Sequence, residues 1–273
     1  MAADAAWQHH RPADKTWMIR WRDLELQLAF TPYGHLGLFP EHAWHWAWLQ
    51  QQCRTASNGR SQPSALNLFA YTGGASLALA DAGARVAHVD SSRPSVAWAR
   101  LNSHHSHLSD HPIRWLVEDA LKFCQREVRR GSRYQLIVLD PPAYGHGPDG
   151  NRWQLDRHLP MLLECIGDLW ADEPFGFLIS GHGDENQVGR MVRDSASAWG
   201  HCFRGGWQSG RSILSGTASV SLDAGFWILL KVPRNREQLG TAFSSNPALG
   251  NKSSLMNQIN DTMDVHQISE QVG

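Results

Sequence analysis

Short apolar runs alternate with amphipathic stretches through the middle of the chain. Runs with the length and composition of buried strands lie at 66–69, 85–89, 113–117, 136–139, 175–179 and 226–232. Apolar residues recur at helical spacing between the runs, most clearly at Leu155, Leu159, Leu162, Ile166 and Leu169. Strands that alternate with helices form a mostly parallel sheet with helices on both faces. The pattern therefore predicts an α/β fold.

The first part of the chain follows a different pattern. Two short runs, 17–21 and 24–28, predict strands, and the second alternates apolar and polar residues as a half-buried strand does. Trp44 and Trp48 lie four residues apart, which places them on one face of a helix. Residues 1–53 are therefore predicted to form a polar arm followed by a small β-rich cap with one helix.

Two polar stretches mark the remaining boundaries. Residues 54–63 are predicted to be a linker into the first strand of the sheet, so that 54–233 forms the main domain. Residues 234–273 are rich in Ser, Asn, Gln and Asp and have few large apolar side chains. They are predicted to form a polar, mobile tail.

The stretch 66–74, which reads L-N-L-F-A-Y-T-G-G, organises the rest of the chain. It begins as a strand and turns at its glycines, and an alanine-rich helix follows. Such a turn presents the backbone N–H groups of the helix start at the carboxyl edge of the sheet, where they can meet a polar ligand. Gly73 and Gly74 let the backbone approach that ligand closely. Neither a dinucleotide fingerprint nor a phosphate-loop spacing is present.

Three successive strands end in an acid, namely Asp90, Asp119 and Asp140. Because ligands bind outside the carboxyl ends of parallel strands, these side chains are expected to face one crevice with the turn. For each acid alone, a helix N-cap is an equally good interpretation, but three in order favour a ligand site. Asp90 is placed for a ribose diol and Asp119 for an adenine amino group. A cradle for adenosine without a phosphate site favours S-adenosylmethionine over NAD.

Composition and charge further limit the classes of protein to which the chain can belong. The 273 residues have a formal net charge of −1, so no global basic field indicates a nucleic-acid binder. No long apolar span indicates a membrane segment, and we expect a cytoplasmic protein. Far-apart cysteines predict reduced thiols, namely Cys53, Cys124, Cys165 and Cys202. No metal site is predicted, because no carboxylate or thiolate completes a ligand spacing with His104, His105, His107 and His111. No pattern indicates an oligomeric state.

Four motifs give the chain a resemblance to a known family: 66–74, V-D-S-S at 89–92, E-D-A at 118–120 and D-P-P-A-Y-G at 140–145. They resemble the successive motifs of class I S-adenosylmethionine-dependent methyltransferases, and more narrowly those of the bacterial large-subunit ribosomal RNA methyltransferase group. The resemblance implies a Rossmann-like, seven-stranded, mostly parallel sheet with helices on both faces and a small N-terminal cap. The cofactor site expected from it comprises Phe69, Tyr71, Thr72, Gly73, Gly74, Asp90, Ser91, Asp119 and Asp140.

The predicted catalytic residues are Asp140, Pro141, Pro142 and Tyr144. Two consecutive prolines after a buried strand fix the backbone, so the Asp140 carboxylate and nearby carbonyls point rigidly into the site. Such acceptors can hold an amine and align its nitrogen, and Tyr144 can stack on a base. Two structural alternatives stay open, a strand-terminating Pro-Pro turn and Tyr144 as a core residue.

The chain departs from the resembling group in two respects. Where members that methylate cytosine C5 carry a cysteine, it reads S-G-H-G at 180–183, which favours N- or O-methylation. The first fifty residues are also too few to contain the group's RNA-binding domain. RNA as a partner thus follows from the resemblance alone. Local candidates for phosphate contact are Arg126, Arg129, Arg130, Arg152, Arg204 and Arg211, although a solvated helix face explains the first three equally well.

The predicted function is methyl transfer from S-adenosylmethionine to an acceptor, first of all a nucleobase nitrogen in ribosomal RNA. A small molecule or a protein side chain is the alternative acceptor. A non-catalytic cofactor-binding scaffold is a third interpretation, which the intact 140–144 loop argues against.

Overall fold

The computed structural model describes residues 15–32, 34–57, 62–146, 152–200, 203, 206–215 and 221–232. The predicted arm before residue 15, the predicted tail 234–273, Arg204 and Cys202 lie outside these ranges.

The elements follow the predicted alternation. The strands are β1 (Thr16–Trp21), β2 (Leu24–Ala29), β3 (Ser64–Leu68), β4 (Arg85–Asp90), β5 (Ile113–Val117), β6 (Leu136–Leu139), β7 (Tyr144–His146), β8 (Arg152–Gln154), β9 (Gly176–Gly181), β10 (Trp207–Ser215) and β11 (Ser221–Lys231). The helices are α1 (Ala43–Ser57), α2 (Gly74–Asp81), α3 (Arg93–His105), α4 (Ala120–Arg129), α5 (Leu155–Gly167) and α6 (Glu185–Ala196).

Seven strands form one central sheet in the order β10-β11-β9-β6-β3-β4-β5. The strands from β9 to β5 are parallel, and β11 and β10 complete the sheet in antiparallel fashion. The chain runs outward from β3 through β4 and β5, then returns to β6 on the other side of β3. This reversal creates a crevice at the carboxyl ends of β3 and β6, where open α/β sheets bind ligands. The predicted fold class is confirmed.

Successive side chains of the central strands point to opposite faces of the sheet and pack into two separate cores. Leu66, Leu68 and Ile137 pack on one face with α4, α5 and α6. Their neighbours, such as Leu136 and Val138, pack on the other face with α2. Because successive strand residues point to opposite faces, strands covered on both sides must be apolar throughout, which is why the apolar runs predicted them.

The cap shares the second core and does not stand apart from the sheet. Trp21, Leu24 and Trp46 belong to the same buried cluster as residues of α2, β6 and β9. The backbone of β2 is bound to α3, since Gln27 N donates to Asn102 Oδ1 at 2.9 Å. Cap and sheet are therefore joined by apolar packing and by hydrogen bonds.

Two further observations concern the boundaries of this unit. Helix α1 extends to Ser57, so the expected linker over 54–63 is wrong for its first four residues, while 58–61 lie outside the described part. Arg54 and Gln50 both donate to Asp81 at the end of α2, which explains why the polar end of α1 stays helical. No described helix is long and apolar enough to cross a bilayer.

Candidate active site

A cleft of about 50 Å³ lies between the cap and the carboxyl ends of β3 and β6. On the sheet side it is lined by six of the predicted site residues, namely Phe69, Tyr71, Thr72, Gly73, Gly74 and Asp140. The cap contributes the opposite wall with Phe39, His42, His45 and Trp46. The 3-10 turn Pro40–His42 and the first turn of α1 are thus part of the site.

The turn after β3 has a strained backbone. Phe69 and Tyr71 have φ values of 56° and 50°, in the left-handed region that side chains rarely occupy, and Gly73 has φ of 95°. A Cβ on Gly73 would lie 2.9 Å from Ala99 Cβ, and one on Gly74 would overlap the Trp46 ring. Close packing therefore requires glycine at both positions, and at Gly73 the backbone conformation requires it as well.

Asp90 holds this turn from the neighbouring strand. Its Oδ2 accepts from Tyr71 N and its Oδ1 from Ser92 N, both at 2.8 Å. Burial raises the pKa of Asp90, although the two N–H donors favour its charged form. Each oxygen retains a further lone pair, so the carboxylate can still accept from a ligand.

Thr72 ties the turn to the cap and to α3. Its Oγ1 donates to Gly37 O at 2.6 Å, and its carbonyl accepts from Asn102 Nδ2 at 3.0 Å. Because Asn102 also accepts from the β2 backbone, one side chain links the turn, the cap and α3.

A buried polar network lies beneath the turn. Asn67 Nδ2 donates to Ser76 Oγ at 2.9 Å, and Ser76 Oγ lies 3.0 Å from His88 Nδ1. His88 is fully buried, and burial, together with the nearby Arg100 charge, lowers its pKa to about 3. His88 is therefore a neutral structural residue at neutral pH.

Asp140 lies in the cleft with its carboxylate oriented by two partners. Ser180 Oγ donates to Oδ1 at 2.7 Å from the end of β9, and His42 Nε2 lies 3.8 Å from Oδ2. The loop that follows is also held, because the Trp153 indole N–H donates to Pro142 O at 2.7 Å. Tyr144 is 78% exposed, so the interpretation of Tyr144 as a core residue is wrong.

Asp90, Ser91 and Asp119 do not line the cleft. Asp90 and Asp119 follow the adjacent strands β4 and β5, at the same sheet edge. Asp119 is half-buried, and its Oδ1 accepts from Lys122 N at 2.9 Å as the N-cap of α4. Asp119 thus caps α4, and its contact with adenine stays a prediction.

The described cysteines are structural thiols. Burial raises the pKa of Cys53 to about 11 and raises those of Cys124 and Cys165, and none of the three lines the cleft. The stretch 180–183, where the resemblance leads us to expect the nucleophile of a cytosine-C5 methyltransferase, contains no cysteine. Within the described residues there is also no cluster of His, Cys, Asp or Glu that could hold a metal ion.

Sequence reasoning missed the partners of the predicted residues. His42 ends the 3-10 turn and His45 lies in the first turn of α1, but nothing in the sequence pattern indicates that His42 lies beside Asp140. Trp153 lies on a three-residue strand that is too short to show periodicity.

The fold and the site together define an α/β protein whose cleft suits an adenosyl cofactor at the switch point of its sheet. A family model for S-adenosylmethionine-dependent methyltransferases matches residues 2–173, more than half of the chain. The chain belongs to this family, and its cofactor is S-adenosylmethionine.

Relatives and solved structures agree with the family. A crystal structure of an S-adenosylmethionine-dependent methyltransferase from Agrobacterium tumefaciens is similar with a TM-score of 0.76 and 32% identity, over 84% of this chain and 74% of that one. The ribosomal RNA large subunit methyltransferase K/L of Hahella chejuensis is 36% identical over 151 residues, 54% of this chain and 19% of that protein. The K/L enzyme of Shewanella sp. ANA-3 is 33% identical over 124 residues, 45% and 16% respectively. The matches thus span less than a fifth of these two relatives.

The residues present fit the cofactor. The cleft floor at Gly73 and Gly74 carries no side chains, since a Cβ at either position would collide with its neighbours. Asp90 offers free acceptor capacity beside the turn, as a ribose diol requires. The aromatic residues Phe39, Phe69 and Tyr71 line the cleft, and the ring centroids of Phe39 and Tyr71 lie 5.6 Å apart.

Proposed function

We propose that the chain methylates a nucleobase nitrogen in RNA, with ribosomal RNA as the first candidate. The observation that carries this proposal is the Asp140 carboxylate, which lies in the same cleft as the cofactor turn and accepts from Ser180 at 2.7 Å. An oriented carboxylate beside a bound methyl donor suits an acceptor that presents an N–H group.

In this proposal the turn residues Phe69, Tyr71, Thr72, Gly73 and Gly74 hold the methionine end of the cofactor. Asp90 accepts from the ribose hydroxyls, with Ser91 beside it, and Asp119 accepts from the adenine amino group. The bound cofactor supplies an electrophilic methyl group on a sulfonium. The enclosed part of the cleft has room for only a few water-sized groups, so the adenosyl moiety extends along the ends of β4 and β5.

Asp140 accepts a hydrogen bond from the acceptor amine and directs its nitrogen lone pair at the methyl group. Ser180 and the buried Pro141 keep the carboxylate from rotating away. Fixing the geometry of two reacting groups contributes much of the rate in such transfers. Exposed Tyr144 stacks on the base that carries the amine, which fits a planar acceptor.

The names of the curated relatives support RNA as the substrate, because both are ribosomal RNA methyltransferases. Arg152, exposed on β8 beside the Asp140 loop, offers a phosphate contact near the cleft. Because the net charge is −1, an RNA contact would depend on local groups of this kind and not on a global positive field.

The test is transfer of labelled methyl groups into fractionated RNA, protein and metabolites, with Asp140→Asn as the matched variant. Asp140→Asn should leave cofactor affinity nearly unchanged, since the main anchors lie on other strands. Turnover should fall on the order of 100-fold, because misplacing the acceptor by about 1 Å costs that much. Near-normal turnover would contradict the role of Asp140, and label confined to protein or metabolites would contradict RNA.

One observation favours the alternative, a small molecule or a protein side chain. Three of the arginines expected to contact phosphate are already paired, Arg126 with Glu118, Arg130 with Glu127 and Arg211 with Asp223. Tyr144→Ala separates the two functions. If the acceptor is a base stacked on Tyr144, its binding should weaken by about 1–3 kcal/mol, whereas a small acceptor enclosed within the cleft should bind as before.

A further inference from the structure

The cap side of the cleft carries two histidines that the proposed reaction does not yet use. His42 Nε2 lies 3.8 Å from Asp140 Oδ2, and the His42 and His45 rings are 5.1 Å apart. His45 is only 3% exposed, and its Nε2 has no hydrogen-bond partner among the described residues. Both histidines line the cleft. Since buried polar atoms are nearly always paired, a polar group without a partner in a cleft wall indicates a ligand position.

The two imidazoles differ in what they can do. Burial, and next the charge on His42, keeps the pKa of His45 well below its usual range, so His45 stays neutral. The His42 side chain is 19% exposed, so it can exchange a proton with solvent. A carboxylate is in general a far weaker base than an imidazole, so a histidine is the better proton acceptor of the two side chains.

We propose that His42 accepts the proton that the acceptor nitrogen loses on methylation, and that the Asp140 carboxylate, 3.8 Å from His42 Nε2, stabilises the charge that His42 then carries. This inference rests on the proposed function. The nitrogen lone pair forms the new N–C bond, and the electron pair of the broken S–C bond stays on the departing thioether sulfur. The N–H proton passes to His42 Nε2 and then to water. The cap thus takes part in the chemistry of the site as well as covering it.

The groups around His42 suit this role. Neutral His45 lies behind it, and buried Glu41 is its neighbour in the 3-10 turn. Asp140 is the carboxylate facing it from the sheet, and the charge of protonated His42 is stabilised there. Other titratable groups near this wall are His35 and Tyr71, both in ring contact with Phe39, and, on β10, Arg211 paired with Asp223.

The first experiment compares His42→Gln with His35→Gln. Both replace a histidine of the same segment, but His35 is exposed and does not line the cleft. General-base residues contribute on the order of 100-fold or more, so turnover of His42→Gln should fall by about that factor. The loss of rate of the wild type between pH 7.5 and 5.5 should flatten in His42→Gln and persist in His35→Gln. An unchanged rate and pH profile in His42→Gln would overturn the proposal.

The second experiment does not depend on the acceptor. Calorimetry in buffers of different ionisation enthalpy, at pH 6.5, measures the protons released when S-adenosylmethionine or S-adenosylhomocysteine binds. A sulfonium near His42 repels its protonated form, so the charged cofactor should release more protons than the neutral product. That excess should vanish in His42→Gln and remain in His35→Gln.

The two experiments distinguish a failure of the RNA proposal from a failure of the His42 proposal. If the wild type labels no RNA but the excess proton release depends on His42, the RNA proposal fails and His42 remains beside the methyl group. If both ligands release the same number of protons in the wild type, His42 is not beside the methyl group, whatever the acceptor.

Discussion

Asp90 holds the turn after β3 from the neighbouring strand β4. It accepts from two backbone N–H groups and so fixes the left-handed Tyr71 in place. The same carboxylate is the predicted partner of the ribose. A change at this position therefore affects both the shape of the turn and the number of acceptors available to the cofactor.

We expect Asp90→Ala to weaken binding of S-adenosylmethionine by about 1.5–3 kcal/mol, the range for hydrogen bonds to a charged group. Calorimetry measures this directly. Asp81→Ala is the control, because it removes another half-buried aspartate with two hydrogen-bond donors, Gln50 and Arg54, at the far end of α2. Equal affinity in the two variants would remove Asp90 from the ribose site.

At the scale of residues, the sequence predicts that an acidic residue lies at the site only where that residue follows a recognisable strand. Asp90 and Asp140 were identified because each follows a buried apolar run. Asp119 met the same criterion, yet its carboxylate caps α4 in the structure. Ser180 and His42, the partners of Asp140, come from distant segments, and no local pattern reports a contact that only the folded sheet creates.

The hairpin of β7 and β8 contacts both the loop after Asp140, where the acceptor is predicted to bind, and the turn after β3, where the cofactor is predicted to bind. Trp153 on β8 donates to Pro142 O, and its ring packs 4.8 Å from that of Phe69. One side chain thus sets the distance between the two halves of the site. The sequence does not predict this hairpin, because strands of three residues are too short to show alternation and β7 also includes Gly145.

Trp153→Phe should lower turnover several-fold while cofactor affinity changes little, because an aromatic ring remains beside Phe69 but the hydrogen bond to Pro142 is lost. Trp207→Phe is the control, since its indole N–H donates to Phe203 O at 2.8 Å, outside the cleft. Urea unfolding should show a similar cost in both, about 0.5–1.5 kcal/mol. Equal activities in the two variants would show that Trp153 supports stability alone.

At the scale of the molecule, stability should depend on pH through its buried histidines. His88 has a pKa of about 3 in the folded protein and about 6.5 when unfolded. A depressed pKa contributes stability that is present above pH 6.5 and is lost as the pH falls toward 3. His45 acts in the same direction, whereas the raised pKa of Asp90 has the opposite effect at lower pH.

Between pH 7 and pH 5, His88 alone should reduce the free energy of unfolding by about 2 kcal/mol. Urea unfolding at the two pH values measures this loss. His88→Asn should show a smaller loss than the wild type, even if it is less stable throughout. His104→Gln, which changes an exposed histidine, should behave like the wild type. An equal pH dependence in His88→Asn and the wild type would contradict the assignment.

Six strands of the central sheet were predictable from their apolar runs, whereas the edge strand β10 includes Gln208, Ser209 and Arg211 and shows no such run. The docking of the cap was not predictable either, since its tryptophans indicate only that α1 has an apolar face. Trp46 meets Gly74, and Trp44 meets Trp227 at 4.7 Å, in contacts between segments far apart in the chain. Only the folded molecule reveals that the helix before the sheet completes the cofactor turn.

The contact between Trp46 and Gly74 has a consequence for how this site can change over evolutionary time. The indole occupies the space in which any side chain at position 74 would have to stand. A lineage that acquires alanine at 74 must therefore first shrink residue 46, and a lineage that keeps the tryptophan cannot leave glycine. Residues 46 and 74 are therefore expected to change together. Covariation of these two positions among related sequences would indicate that the cap docks on the sheet in the same way.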